Sequence, residues 1–348
     1  MINVAIDISP LMTASKFRGV GMYTKRLVDA LQHQENLKVL TFEGKKVPTS
    51  ADLVHYPYFF PFALTLPFFS TKKFVVTIHD LIPLVFPKAY PPGLKGKIRY
   101  EIQKRNLKKA SRVITDSWSS QKDIICFTGF PAERIDVVYL APAGEIKQVT
   151  DQIFLKNLIK KFNLPREFVL YVGDVNYNKN LPSLIDACRI AQTPLVLVGR
   201  QMAQTDFDQS HIENQPLVQL NKMVEGKSDV IKLGFLEEKD LAGVFSLASV
   251  YCLPSFYEGF GLSVLEAMAY GCPVVASNVS SIPEITGGAA VLVDPYNTGQ
   301  MANGIKKLLE DKIYRQKMIK AGLIQVEKFS WEKTARETIK AYERVLEK

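Results

Sequence analysis

Short apolar runs rich in Val, Ile and Leu recur along the whole chain, each separated from the next by a stretch with helical periodicity. An unbroken apolar run is what a strand shows when helices cover both faces of its sheet, whereas a half-exposed strand alternates. The first series predicts strands at 3–8, 37–41, 53–55, 74–78, 112–115 and 136–139, with helices at 20–32 and 117–127 and a basic helical stretch ahead of 112. The pattern then breaks. Residues 141–165 open on Pro-Ala-Gly and run into a polar, lysine-rich stretch, which reads as a linker with an approach helix. A second series predicts strands at 168–172, 195–198, 230–233, 250–253, 274–277 and 290–293, with helices at 181–191, 239–246 and 262–270. Residues 201–227 read as polar and irregular, and 298–348 as helical throughout. Strands alternating with helices imply parallel, doubly wound sheets. A chain of 348 residues exceeds one hydrophobic core. Two α/β domains are therefore expected, at 1–150 and 165–331, facing across a cleft lined by the carboxyl ends of their strands.

Composition narrows the class. Hydrophobic residues make up 47% and charged residues 23%, as in an ordinary globular protein. The four cysteines lack metal or disulfide spacing and read as buried free thiols of a reducing compartment. The N-terminus reads as a strand with no basic leader, so no signal peptide and a cytoplasmic location are expected. The net charge of +9 fits nucleic acid, anionic lipid or a phosphorylated ligand. An aromatic, proline-broken run at 56–69 is too short to span a bilayer. With the basic stretch 95–109 it offers a peripheral membrane contact, against the plainer reading of a packed loop and a solvated helix.

The chemistry concentrates in one block. Ser255-Phe-Tyr-Glu-Gly-Phe-Gly-Leu-Ser-Val-Leu-Glu-Ala-Met-Ala-Tyr-Gly271 joins a buried strand to a helix. Gly259 and Gly261 permit a tight turn, and the helix N-terminus that follows favours an anion, usually a phosphate. Glu258 and Glu266 flank that cradle. Carboxylates only accept hydrogen bonds, so they suit the hydroxyls on either side of a phosphate, a sugar and a ribose. The block thus reads as a nucleotide-sugar site, with Phe260 and Leu262 contributing backbone. Lys179, in the strand–loop–helix turn after Gly173 and beside Asn180, is placed to meet a phosphate. Arg200 and Phe235 follow strand-end positions in the same way and read as phosphate and base contacts.

In the first domain, Arg18-Gly-Val-Gly contains Gly19 and Gly21 but lacks the third glycine and the tight turn of a dinucleotide fingerprint. It suits close approach of backbone to a pyrophosphate or a sugar, and an NAD site is not expected. His79 and Asp80 stand at a strand's carboxyl end, where this architecture places chemistry. Asp206-Phe-Asp208 has the spacing of a cation-binding pair but lies in the irregular stretch, so no metal is expected there. Asn278-Val-Ser280 fits a glycosylation acceptor without a secretory context.

Taken together, Arg18-Gly-Val-Gly, His79-Asp80, Lys179-Asn180, the Glu258/Glu266 block and Phe329-Ser-Trp-Glu332 resemble the retaining GT-B glycosyltransferases of family 4. The resemblance implies two Rossmann-like domains, a nucleotide-sugar donor on the second, and a saccharide or lipid-linked acceptor. It implies that Glu266 binds the ribose, and that Glu258 with the backbone of 260–262 holds the sugar and diphosphate. Lys179 would neutralise the diphosphate and His79 would face the sugar, with no cofactor, metal or nucleic acid involved. The helix after Trp331, about 332–348, would cross back to complete the first domain. Asp174 departs from the pattern, since many members carry an arginine next to the glycine matching Gly173. His79-Asp-Leu-Ile-Pro and the short length favour mannose from GDP-mannose. UDP-glucose or UDP-GlcNAc as donor, and a nucleotide-sugar epimerase or hydrolase on the same scaffold, stand as alternatives.

Overall fold

The computed structural model describes residues 1–12, 19–44, 46–142 and 146–347. The chain divides into two compact units, Met1–Ala141 with Phe329–Lys348, and Pro142–Lys328. Residues 142–150, expected with the first domain, cluster with the second. There the Val149 N–H donates to Ser246 Oγ at 3.0 Å.

Each unit is built on a six-stranded, wholly parallel sheet. In the first unit β1 (Ile2–Asp7), β2 (Leu37–Phe42), β3 (Leu53–Tyr56), β4 (Lys73–Thr77), β5 (Arg112–Thr115) and β6 (Ile135–Val137) lie in the order β2-β1-β3-β4-β5-β6. In the second, β7 (Val169–Val172), β8 (Leu195–Val198), β9 (Val230–Leu233), β10 (Val250–Leu253), β11 (Val274–Ser277) and β12 (Val291–Val293) lie in the order β12-β11-β10-β7-β8-β9. Every residue of β3, β5, β8, β10 and β11 is buried; β8 and β10 accordingly read as unbroken apolar runs, while β3, β5 and β11 also carry the buried polar residues His55, Arg112, Thr115 and Ser277. Two expectations need correction. The stretch thought irregular contains a helix, Gln215–Val224, whose inward positions Leu217 and Leu220 are its only buried ones. Cys126 is exposed, while Cys188, Cys252 and Cys272 are buried thiols.

The terminal helix Trp331–Leu346 belongs to the first unit and is held there by polar bonds as well as packing. Thr334 Oγ1 donates to the Tyr139 carbonyl at 2.7 Å. Arg344 joins Asp136, which also takes a two-point bond from Arg112 on β5. At the centre a buried line of hydroxyls and imidazole crosses the sheet. Tyr23 Oη lies 2.9 Å from Thr77 Oγ1, Thr77 Oγ1 2.8 Å from His55 Nε2, and His55 Nδ1 2.7 Å from Tyr342 Oη. Burial pushes the His55 pKa down to about 3, with the neighbouring His79 charge acting the same way, so this ring is neutral and passes one donor and one acceptor along the line.

The aromatic run folds onto the basic helix Gly93–Leu107. Gln103 receives the Leu66 N–H on its Oε1 at 3.2 Å and donates to Thr65 Oγ1 at 2.6 Å. Phe62 packs edge-on against Tyr100 at 6.4 Å. Tyr56, Phe59 and Leu66 are buried in the core of the unit, whereas Leu64, Phe68, Phe69, Leu94 and Ile98 face solvent. Phe69, 91% exposed, has the Lys109 ammonium 5.6 Å from its ring. Among the described residues no helix is long and apolar enough to cross a membrane.

Candidate active site

Strand order decides where the second unit assembles its chemistry. From β7 the chain steps outward through β8 to β9, then returns to the other flank of β7 as β10 and steps outward again. The crevice outside the carboxyl ends of β7 and β10 is thus the topological switch point, where ligands bind in open α/β sheets. The turn Tyr177–Lys179 follows β7, and the loop ending at Gly261 follows β10. They bring together two side chains 79 residues apart: Lys179 Nζ lies 2.7 Å from Glu258 Oε1 and 3.0 Å from Oε2.

Glu258 is fixed from several sides. Ser255 Oγ donates to its Oε1 at 2.5 Å, and its own N–H donates to Ser280 Oγ at 2.9 Å. The Ser281 hydroxyl lies 3.0 Å from the Glu258 carbonyl and 2.9 Å from that of Phe260. Asn180, buried and left-handed at φ 53°, donates from Nδ2 to the carbonyls of Pro254 and Pro295 at 3.1 and 2.8 Å. Asn180 therefore stitches the loops after β7, β10 and β12, and it holds Lys179 beside Glu258. The Glu258 side chain is 9% exposed and that of Lys179 21%, so the lysine is the more accessible partner.

The glycine turn is packed. Gly259, Phe260 and Gly261 are buried and Leu262 half-buried. Gly261 sits at φ 94°, and a Cβ there would come within 2.5 Å of Ile282 Cδ1. Glu266 is half-buried in the helix Leu262–Ala269. Burial pushes the Tyr251 phenol far up, and the charges of Glu258 and Glu266 add to this. Gly173 and Gly199 approach so closely that a Cβ on Gly199 would lie 2.1 Å from the Gly173 carbonyl oxygen. Arg200 and Phe235 are also brought together, the guanidinium 5.0 Å from the ring centroid. They follow β8 and β9, one and two strands removed from β7. Asp174 is exposed, and Asp208 bonds its own turn through Ser210.

In the first unit, His79 follows β4 and Asp116 follows the adjacent β5. His79 Nδ1 lies 2.6 Å from Asp116 Oδ2 and Nε2 3.2 Å from the Pro57 carbonyl, with the Tyr23 ring edge-on at 4.6 Å. Burial opposes charge on the imidazole, yet Asp116, reinforced by Asp80 and the Pro57 carbonyl, holds its pKa above the usual 6.5. Gly19 is exposed and Gly21 buried in the first turn of the helix Gly19–Gln32, while Arg18 lies outside the described residues.

Sequence reasoning missed Asp116, Ser280 and Ser281, and gave Ser255 no role. Asp116 stands at a strand's carboxyl end just as His79 does, so the rule that singled out one applied equally to the other. Ser280 and Ser281 carried no such signal, because their partners, Glu258 and Phe260, are distant in sequence.

Two doubly wound parallel units, with the ion pair at the switch point of the second, define a GT-B scaffold. The signature described as Glycosyl transferases group 1 matches residues 156–325, and that described as Glycosyltransferase Family 4 matches residues 45–141. O-antigen chain mannosyltransferase B of Escherichia coli is 31% identical over 280 residues, which cover 78% of this chain and 70% of that protein. Serotype-specific mannosyltransferase WbdA of Escherichia coli is 28% identical over 79% of this chain and 34% of its own length, so the chain spans about a third of that relative. Anabaena HepE, in a crystal structure with UDP-glucose, matches over 99% of this chain and 100% of its own at a TM-score of 0.73 and 20% identity, which speaks to the fold. The chain belongs to the family 4, group 1 glycosyltransferases. It is a glycosyltransferase with the two-domain Rossmann-like GT-B fold.

The ion pair generates an asymmetric prediction. Lys179→Ala strands a buried carboxylate and should cost about 1–3 kcal/mol. Glu258→Gln leaves an ammonium that water can reach and should cost less. Thermal unfolding of the two variants checks this, and a larger drop for Glu258→Gln would contradict it.

Proposed function

We propose that the chain transfers a mannosyl residue from GDP-mannose to a saccharide or lipid-linked acceptor in glycan biosynthesis, with retention and without a metal. The Lys179–Glu258 pair at the switch point is the observation that carries the nucleotide-sugar site. The two relatives named mannosyltransferases support the sugar. In this reading the donor diphosphate meets Lys179, which lies beside Glu258 on one side and is open to solvent on the other. Glu258, anchored by Ser255, then accepts from the sugar hydroxyls, and Glu266 accepts from the ribose. Gly173, Asn180 and the 259–262 turn shape the floor, while Arg200 and Phe235 offer a cation and a ring face to the nucleotide.

The bond from the anomeric carbon to the phosphate oxygen breaks as one to the acceptor oxygen forms on the same face. The departing phosphate takes the acceptor's proton. Charge accumulates on the leaving diphosphate, so a preorganised cation there lowers the barrier. His79 serves the transfer step from the first unit. The reaction takes place in the cytoplasm.

A thermal-shift series with GDP-, UDP-, ADP- and dTDP-sugars tests the donor. GDP-mannose should give the largest rise, and Glu266→Gln should weaken its binding about tenfold or more, as expected for a lost hydrogen bond to a charged group. A rise with UDP-sugars alone would overturn the donor assignment. Shifts untouched by Glu266→Gln would overturn the ribose contact.

A second reading concerns the membrane. Phe68, Phe69, Leu64, Leu94 and Ile98 are exposed beside Lys95, Lys97, Arg99 and Lys109, an apolar and cationic combination suited to an anionic bilayer surface. Sedimentation with vesicles containing anionic phospholipid should capture the chain, and Phe69→Ser with Ile98→Ser should release it. Equal capture by neutral vesicles, or no effect of the double variant, would dismiss the surface.

A further inference from the structure

His79 has no free lone pair. Its Nδ1 faces the Asp116 carboxylate at 2.6 Å and its Nε2 faces the Pro57 carbonyl at 3.2 Å. A peptide carbonyl only accepts, so Nε2 must carry a proton. A second proton then lies between Nδ1 and Asp116 Oδ2. Turning the ring over would set carbon atoms against both acceptors and lose both bonds. Asp116 is 2% exposed, and its other oxygen, Oδ1, is buried without a hydrogen-bond partner. Burial pushes the Asp116 carboxyl up while the His79 charge and hydrogen bond pull it down, so a carboxylate so removed from water is costly unless a cation compensates it.

The remaining surroundings agree. Asp80, next in the chain, adds negative charge. Tyr23, packed edge-on from the helix Gly19–Gln32, is a neutral phenol whose pKa burial pushes far up, with the Asp116 charge adding. His55 on β3 is neutral and so does not repel a cationic neighbour. Ser120 Oγ donates to the His79 carbonyl at 2.8 Å and fixes the backbone. The ring nonetheless keeps 16% of its side-chain surface open. What it can show a substrate is a charged C–H edge.

We propose that Asp116 is a positioning residue that, with the Pro57 carbonyl, locks His79 with a proton on each nitrogen, so that His79 serves the transferase as a fixed positive edge and not as a base. The inference rests on His79 taking part in transfer, as proposed above. It explains why a histidine stands at this strand end without a vacant nitrogen. It also leaves the acceptor's proton to the departing phosphate.

Nitrogen NMR of the full chain labelled at its four histidines, assigned with a His79→Gln variant, reads the ring directly. The wild-type His79 should show two protonated nitrogens at pH 7 and titrate above 6.5. In Asp116→Asn only Asp80 and the Pro57 carbonyl remain to oppose burial, so the ring should titrate below its wild-type position. Steady-state kcat of the wild type should fall as pH rises through the His79 titration. Asp116→Asn should lose about a hundredfold in kcat at pH 7 while donor KM stays within about twofold, the pattern of a lost transition-state charge. A wild-type ring with one bare nitrogen at pH 7, or a rate that rises as His79 deprotonates, would overturn the proposal even if the variant fails to fold. Absence of any nucleotide-sugar shift in the wild type would instead defeat the function reading and leave the ring measurement standing.

Discussion

The contact between Lys179 and Glu258 is the interaction around which the second unit's candidate site is built. It exists because β10 returns to the inner flank of β7, which brings the loops after those two strands to one crevice. Neither residue is placed by its local sequence alone. Asn180 holds the first loop to the carbonyls of Pro254 and Pro295, and Ser255, Ser280 and Ser281 hold the second. An isolated buried carboxylate would be expensive, and an isolated lysine would wander. Paired, they give a carboxylate of fixed orientation beside a cation with one side open.

The first unit solves a related problem with buried polar groups. Its central line from Tyr23 through Thr77 and His55 to Tyr342 satisfies each hydroxyl and ring nitrogen in turn, and ties the terminal helix to β3 and β4. Breaking such a line would leave a buried group unpaired, which outweighs the modest net value of any one bond. One strand over, His79 and Asp116 share the same interior, but there the carboxylate raises the imidazole's pKa against burial. Two histidines within one domain are thus shifted in opposite directions. His55 meets only neutral hydroxyls, and His79 meets a carboxylate.

Much of this architecture was legible because parallel strands covered on both faces must be continuously apolar, and all twelve stood out as runs bounded by polar or turn residues. The helix Gln215–Val224 escaped because only Leu217 and Leu220 point inward, too few to set a period. Strand order was not legible, since apolar runs carry no record of which flank each crossover takes. For that reason Lys179 and Glu258 were each singled out, the first for a phosphate and the second for a sugar, but their mutual bond was not foreseen. Asp116 lies between β5 and the helix Trp118–Thr128 and was given no role, although the strand-end rule that singled out His79 applied to it as well. Gly259 and Gly261 suggested an open cradle, yet Gly261 proves to be required by a left-handed φ and by the proximity of Ile282.

A crystal structure of the full chain with GDP-mannose tests the central claim most directly. The account predicts a diphosphate oxygen within about 3 Å of Lys179 Nζ, the ribose hydroxyls on Glu266, and the mannose hydroxyls on Glu258. A donor bound away from the carboxyl ends of β7 and β10, with the Lys179–Glu258 pair undisturbed, would contradict it.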